Sequence, residues 1–253
     1  MIENVVSVII PAHNAEEYLE ETVKSVLNSS YKNIEIIIMD DGSNDKTGEI
    51  ADSLAKKYLN ISSFHQVNKG VAAARNEAIK QSKGKYILPL DADDLISIDY
   101  IEKAVTILEE NVDVKVVYGN AQFFGNKFGK WDLPDFDINL LARRNIIYVS
   151  GIYRRKDYDK TGGYSEEIAG LEDWDFWISM FKTGGKVKYI DTECFYYRIT
   201  QDSKRTKDSK KKKQIIDLLN MRHKDFFDKQ LGGKLHYNRS WSRVLNSLNI
   251  KGF

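Results

Sequence analysis

Three carboxylates close an apolar run in Tyr86-Ile87-Leu88-Pro89-Leu90-Asp91-Ala92-Asp93-Asp94, where burial ordinarily excludes charge. In extended backbone, residues two apart point the same way, so Asp91 and Asp93 are expected to face one site and Asp94 the other. Two convergent carboxylates suit Mg²⁺ or Mn²⁺, which takes one or two such ligands and fills its shell with water and substrate phosphate. A metal-bridged diphosphate is the ligand that follows from this reading. The alternative is an acidic turn that merely ends a strand and caps a helix. A second apolar run, Ile34 to Met39, ends in Asp40-Asp41-Gly42-Ser43. There Asp40 can accept a hydrogen bond from a base N–H, Gly42 permits a tight turn, and Ser43 or Asn44 can cap the next helix.

These acidic segments need a scaffold that gathers strand ends. Val5 to Ile10, closed by Pro11, predicts a buried strand. Asn14 and Glu17 predict the capped start of a helix whose Leu19, Val23, Val26 and Leu27 fall at helical spacing. Strands follow at Ile34 to Met39, Ile61 to Gln66 and Tyr86 to Leu90, with helices up to about Tyr58 and over Val71 to Gln81. Sequential βαβ units with right-handed crossovers give a mainly parallel sheet, whose ligands bind beyond the carboxyl ends of the strands. Further on, the spacing predicts a helix over Asp99 to Glu110, strand at Val114 to Tyr118, irregular aromatic chain from Phe123 to Phe136, and a segment Ile146 to Tyr153. A helix from Trp174 to Thr183 and strands at Val187 to Ile190 and Cys194 to Ile199 come next. Gln214 to Gln230 predicts a helix with Ile215, Leu218, Leu219 and Phe226 on one face, and Trp241 to Leu248 a last helical segment.

The ordered segments Ser7-Val8-Ile9-Ile10-Pro11-Ala12-His13-Asn14, Asp40 to Ser43, Gly70 to Asn76 and Asp91 to Asp94 resemble family 2 of the glycosyltransferases over roughly residues 5–205. The resemblance implies the GT-A fold: a Rossmann-like α/β sheet flanked by helices, a C-terminal acceptor-side region and a helical tail. It assigns Pro11, Ala12, His13, Asn14, Asp40, Lys69, Arg75, Asp91 and Ala92 to the nucleotide sugar, commonly a UDP-sugar, and Asp93 with Asp91 to Mn²⁺ or Mg²⁺. His13 departs from the Tyr or Phe more usual there. Leu171-Glu172-Asp173-Trp174 resembles the family's late acidic motif, whose Asp is the general base. Asp173 is therefore the expected base, Glu172 its orienting neighbour, and Trp174 an aromatic that stacks on an acceptor sugar. Tyr196 to Ser203 resembles a late basic motif, which brings Arg198 and Ser203 toward the diphosphate. The implied reaction is inverting sugar transfer to an acceptor hydroxyl, in cell-surface polysaccharide or lipid-linked glycan synthesis.

At 253 residues, 42% of them hydrophobic, the chain can fold as one large α/β domain with an appendage. Its expected division is 1–205 for the transferase, split at 98 into donor and acceptor halves, and 206–253 for a basic helical extension. Net charge of +1 provides no overall field for nucleic acid, and carboxylates at the strand ends argue against it. The run Lys204 to Lys213 is locally basic and suits either a solvated loop or peripheral contact with an anionic membrane face. Cys194 is the only cysteine, expected to be a buried inert thiol. With no leader-like start and no 18-residue apolar stretch, a cytoplasmic location is expected. A sugar nucleotidyltransferase, a rival reading, needs a Gly-rich phosphate loop after the first strand, where this chain has Pro11 to Asn14. A catalytically inactive nucleotide-sugar-binding protein is the other.

Overall fold

A computed structural model describes residues 2–200 and 209–236, with backbone alone for 209–212. The first half alternates as β1 (Ile2–Ala12), α1 (Leu19–Leu27), β2 (Ile34–Asp41), α2 (Thr47–Lys57), β3 (Ile61–Gln66), α3 (Val71–Gln81) and β4 (Gly84–Pro89). Strands β3, β2, β1 and β4 lie side by side in that order and run parallel. In β1 from Val6 onward, β2 and β4, the Val, Ile and Leu side chains are buried on both faces, which is why these strands read as continuous apolar runs, whereas the edge strand β3 is half exposed. The order turns at β1, with β2 on one side and β4 on the other. A crevice at the carboxyl ends of strands arises at such a switch point.

The second half comprises β5 (Leu95–Ile96), α4 (Tyr100–Glu110), β6 (Val114–Gly125), β7 (Gly129–Trp131), α5 (Ile138–Arg143), β8 (Ile152–Arg154), α6 (Arg155–Tyr158), α7 (Glu172–Phe181) and β9 (Lys186–Ile199). It extends the same sheet in the order β4-β8-β6-β9-β5, with β7 paired to β6. Here β8 is antiparallel to both neighbours, so the sheet is mixed. The aromatic stretch expected to be irregular is largely ordered: β6 runs on to Gly125 and turns back into β7. Gly125 and Gly129, at φ +87° and +138°, supply the turn that made the segment read as loop. Likewise β9 is one strand rather than two, because register shifts near Asn120 absorb its irregularity. Of Ile146 to Tyr153, only the end enters a strand.

Helix starts differ from expectation for a physical reason. Asn14 caps no helix: it sits at φ +50°, a conformation Asn tolerates, and its Oδ1 accepts from the Asn44 amide at 2.9 Å. The cap is spent on joining two loops. Helix α1 starts at Leu19 behind an uncapped Tyr18, and Asp45, not Ser43 or Asn44, accepts the Thr47 amide at the start of α2.

The C-terminal arm comprises α8 (Ser209–Arg222) and α9 (Lys224–Leu231), broken at His223 where one helix was expected. His223 turns inward. Its Nε2 lies 2.7 Å from Asp175, a wholly buried carboxylate on α7 that also accepts from Arg222 Nε at 3.0 Å. Burial pulls Asp175 upward, but hydrogen bonds from His223 and Arg222 outweigh it and hold the group below the ordinary carboxylate range. Ile215, Leu219 and Phe226 are buried as the expected face required. Residues 201–208, with Ser203 and half of the basic run, and the segment Trp241 to Leu248 lie outside the described residues. Among the described residues no helix is long and apolar enough to cross a membrane. Cys194 is buried, and that burial pushes its thiol up to about 12.

Candidate active site

Two cavities open at the carboxyl ends of the central strands, and Asp91 is the one residue that lines both. The first, about 470 Å³, lies at the β1–β4 switch point and is bordered by Pro11, His13, Asn14, Ala92 and Asp93. Its wall also includes Glu16, Glu17 and Asp45, and no Lys or Arg lines it among the described residues. The second, about 410 Å³, lies against β6, β7 and β9 and contains Arg75, Asn145, Glu172 and Asp173.

The Asp91–Asp94 segment reaches its expected division of labour by a different backbone route. β4 ends at Pro89, and a turn closed by the Asp94 amide on the Asp91 carbonyl (3.1 Å) carries the carboxylates. Asp91 and Asp93 stay partly exposed in the first cavity, while Asp94 is wholly buried. The turn is held from two sides. Thr22 of α1 donates to the Ala92 carbonyl at 2.9 Å, and the Arg198 amide donates to Asp94 at 2.8 Å. Burial, and then the neighbouring Asp91, push Asp93 up to about 6, and burial raises Asp94 well above its ordinary range. Asp91 and Asp93, two carboxylates facing one cavity, constitute an oxygen donor set suited to a hard divalent cation. No group of three or more His, Cys, Asp or Glu side chains arranged for a metal occurs among the described residues, so further ligands would come from water and substrate.

Arg75, on α3, lines the second cavity and not the first, and reaches the first only through Asp91. Its guanidinium is buried and donates to Asp91 at 2.6 Å and to Glu172 at 3.2 Å. Burial opposes the charge, but Asp91 and Glu172 outweigh it and raise the group above even arginine's ordinary value. Glu172 in turn accepts the Gly170 amide at 2.6 Å, which fixes the chain entering α7. Asp173 follows. One of its oxygens accepts from Asn145 Nδ2 at 2.7 Å and the other from the Trp174 amide at 2.8 Å. Burial, then Glu172, push Asp173 up to about 7.

Other expected residues lie elsewhere. Ala12 pairs with Asp40 at the end of the β1–β2 ladder, and neither lines either of these two cavities. Asp40 is buried and accepts from the Ser43 amide at 3.1 Å, while His65 lies 3.1 Å from its other oxygen. His65 also touches Asp52, and these two carboxylates, Asp40 foremost, raise its pKa. Lys69 is exposed and contributes its backbone amide to Asp41. Arg198 stands behind the acidic turn, donating to the Asp93 carbonyl (2.7 Å) and Glu21 (2.5 Å) and flanked by the rings of Tyr18 and Phe124. Trp174 is turned away from the cavity, buried, with its indole N–H on the Leu141 carbonyl at 2.7 Å. Asn145 and Trp131, which do line the cavity, carried no spacing that sequence reasoning could use. The density of aromatics from Phe123 to Phe136 was the only signal.

A mixed sheet with a crevice at its switch point and an acidic turn after the fourth strand defines the GT-A class of nucleotide-sugar folds. The chain belongs to Glycosyl transferase family 2, whose model matches residues 7–174. It is 32% identical over 213 residues to EpsJ of Bacillus subtilis, described as an uncharacterised glycosyltransferase, covering 78% of this chain and 62% of that one. It is 36% identical over 151 residues to the glycosyltransferase GlyG of Streptococcus pneumoniae, covering 58% and 50%. The chain thus spans half to two thirds of these relatives' lengths. Among solved structures, S. aureus TarS 1–349 with UDP-GlcNAc superposes with TM-score 0.75 at 18% identity, covering 97% of this chain and 71% of the other. The mannosyltransferase PcManGT of Pyrobaculum calidifontis, with GDP-Man and Mn²⁺, gives 0.70 at 16%, covering 96% and 73%.

Proposed function

We propose that the protein transfers a sugar from a nucleoside-diphosphate sugar, a UDP-sugar foremost, to an acceptor hydroxyl, with inversion at the anomeric carbon. The observation that carries this is the pair of cavities meeting at Asp91, one lined by the acidic turn and the other by Asp173. The nucleotide sugar occupies the first and the acceptor the second, so the anomeric carbon lies at their shared wall. Asp173, with a pKa near 7, takes the acceptor proton as its oxygen attacks that carbon. The bond to the diphosphate breaks on the opposite side, and a single displacement of this kind inverts the configuration. Arg75 keeps Asp91 and Glu172 at fixed separation while this occurs. The bound nucleotides of the TarS and PcManGT structures support a nucleoside-diphosphate donor. A role in cell-surface polysaccharide or lipid-linked glycan synthesis fits the family, and Lys204 to Lys213 is the candidate contact with a membrane face.

Metal dependence follows from electrostatics. A diphosphate entering a cavity bordered by Glu16, Glu17, Asp45, Asp91 and Asp93 meets only like charge from these side chains. Asp91 and Asp93 would hold Mn²⁺ or Mg²⁺, which when bound supplies the positive charge that offsets the leaving diphosphate. A UDP-sugar at about a hundred times its Kd is expected to raise Tm by about 5 °C or more when Mn²⁺ is present, and by much less with EDTA. Equal stabilisation without a cation overturns the metal assignment; no stabilisation by any uridine nucleotide overturns the donor assignment.

Asn145 is a positioning residue for the base. Its amide N–H favours the ionised carboxylate, so Asn145→Ala is expected to move the acidic limb of the kcat profile upward from about 7. A limb that stays in place while kcat merely falls would remove Asn145 from this role.

A further inference from the structure

The second cavity has a chemical character of its own, set by the strands behind it. On β6, Ala121 and Phe123 are two apart and share a face. The register places Trp131 of β7 and Phe195 of β9 on either side of Ala121, and Tyr197 of β9 beside Phe123. One face of three strands therefore presents four aromatic rings around a single small residue. Phe123 and Trp131 stack with centroids 5.3 Å apart and planes at 18°, and Tyr197 meets the Trp131 ring at 5.3 Å and 63°. Phe123, Trp131 and Tyr197 are partly exposed, unlike Phe195 and the wholly buried Trp177 and Phe176 of the core. The same cavity is also lined by Asp173, Asn145, Glu172 and Asp91, with Asp132 and Arg144.

We infer that the acceptor is a saccharide whose terminal pyranose ring lies on the Trp131–Phe123–Tyr197 wall with its hydroxyl edge toward Asp173 and Asn145. The inference rests on the reading of the second cavity as the acceptor site. A pyranose has a C–H face that packs on an aromatic ring and a rim of hydroxyls that hydrogen-bond, matching a cavity whose lining combines aromatic rings with carboxylates and an amide. A polyisoprenoid chain in the same space would desolvate Asp173, Glu172 and Asp91 without returning a hydrogen bond. A Ser or Thr hydroxyl on a peptide has no ring to lay on the wall. Trp131 takes the stacking role that the sequence offered to Trp174. Its place on the short strand β7 makes the β6–β7 hairpin the element that reads the acceptor.

Saturation-transfer NMR on the whole chain tests this with the methyl β-glycosides of glucose, galactose and N-acetylglucosamine as probes. At least one is expected to receive saturation on its ring C–H protons, and Trp131→Ala is expected to abolish it. In transfer assays with that glycoside, Trp131→Ala should raise acceptor KM about tenfold. Donor KM and kcat should hold, and Trp131→Phe should recover most of the loss. Tyr197→Leu provides a second probe of the same wall if Trp131→Ala unfolds. An acceptor KM unchanged by both variants, or transfer to a hydroxylated lipid or peptide but to none of the glycosides, overturns the inference. UDP-sugar binding by the parent chain is measured in parallel. Its absence would count against the donor reading, and its presence leaves the acceptor result to stand by itself.

Discussion

Replacing Asp173 with Asn is expected to lower kcat for sugar transfer by about 10²–10⁴-fold while leaving donor affinity within a factor of about two. The substitution nearly preserves shape, and the new amide oxygen can still accept from one of the two donors, Asn145 Nδ2 or the Trp174 amide. What it removes is the ability to receive a proton. The donor cavity does not include Asp173, so nucleotide-sugar binding has no reason to change. In the parent enzyme, kcat should rise with pH through about 7 as the base ionises. Stability should move the other way. A carboxyl whose folded pKa lies above its unfolded one contributes stability that is complete below about pH 4 and is lost as pH rises through about 7. At pH 8 the variant, which cannot ionise, should unfold at the parent's temperature or above. Single-turnover transfer and thermal unfolding on one preparation decide the matter. Full turnover in the variant would give the proton to another group.

The second large effect concerns Arg75. Substitution by Met keeps the aliphatic volume and deletes a buried cation held by Asp91 and Glu172. Breaking a buried pair from one side costs about 3–5 kcal/mol, because the partners stay behind without compensation. For a chain of this size that corresponds to a fall in Tm on the order of 10 °C. Activity should suffer separately. Arg75 lowers the pKa of Asp173, so its loss should also carry the acidic limb of kcat above about 7. Lysine should recover part of the stability but little of the alignment, since an ammonium has no planar fork to span two carboxylates. Unfolding temperature and the pH–rate profile report these two losses independently. A stable variant with an unshifted profile would leave Arg75 no part in connecting the cavities.

Strands whose apolar runs are buried on both faces were legible because that pattern needs no knowledge of partners. β2 falls within two residues of expectation, and the half-exposed β3 has its expected bounds. The orientations of Asp91, Asp93 and Asp94 came out as expected, although a turn and not the expected extended backbone sets them. What stayed hidden depends on tertiary company. Asn14 reads as a cap until the Asn44 amide is seen to claim its side chain. Trp174 and Trp131 are alike in sequence, yet one closes on a carbonyl of α5 and the other lines a cavity. Asn145 has no motif at all. Its importance is a distance of 2.7 Å to a residue 28 positions away.

Asp175 sets a lower bound on how much of the chain is needed for a working unit. It sits two residues beyond Asp173 on α7, wholly enclosed, and its hydrogen-bonded partners Arg222 and His223 come from the arm. A version cut after position 205, where the sequence suggests a boundary, would strand that carboxylate inside the domain. The cost falls on the helix that carries the base. Asn220 further ties α8 to Leu235 through both its amide atoms. A piece that keeps both of Asp175's partners therefore extends at least through His223, and in engineering terms the arm is a brace rather than a tag to be trimmed.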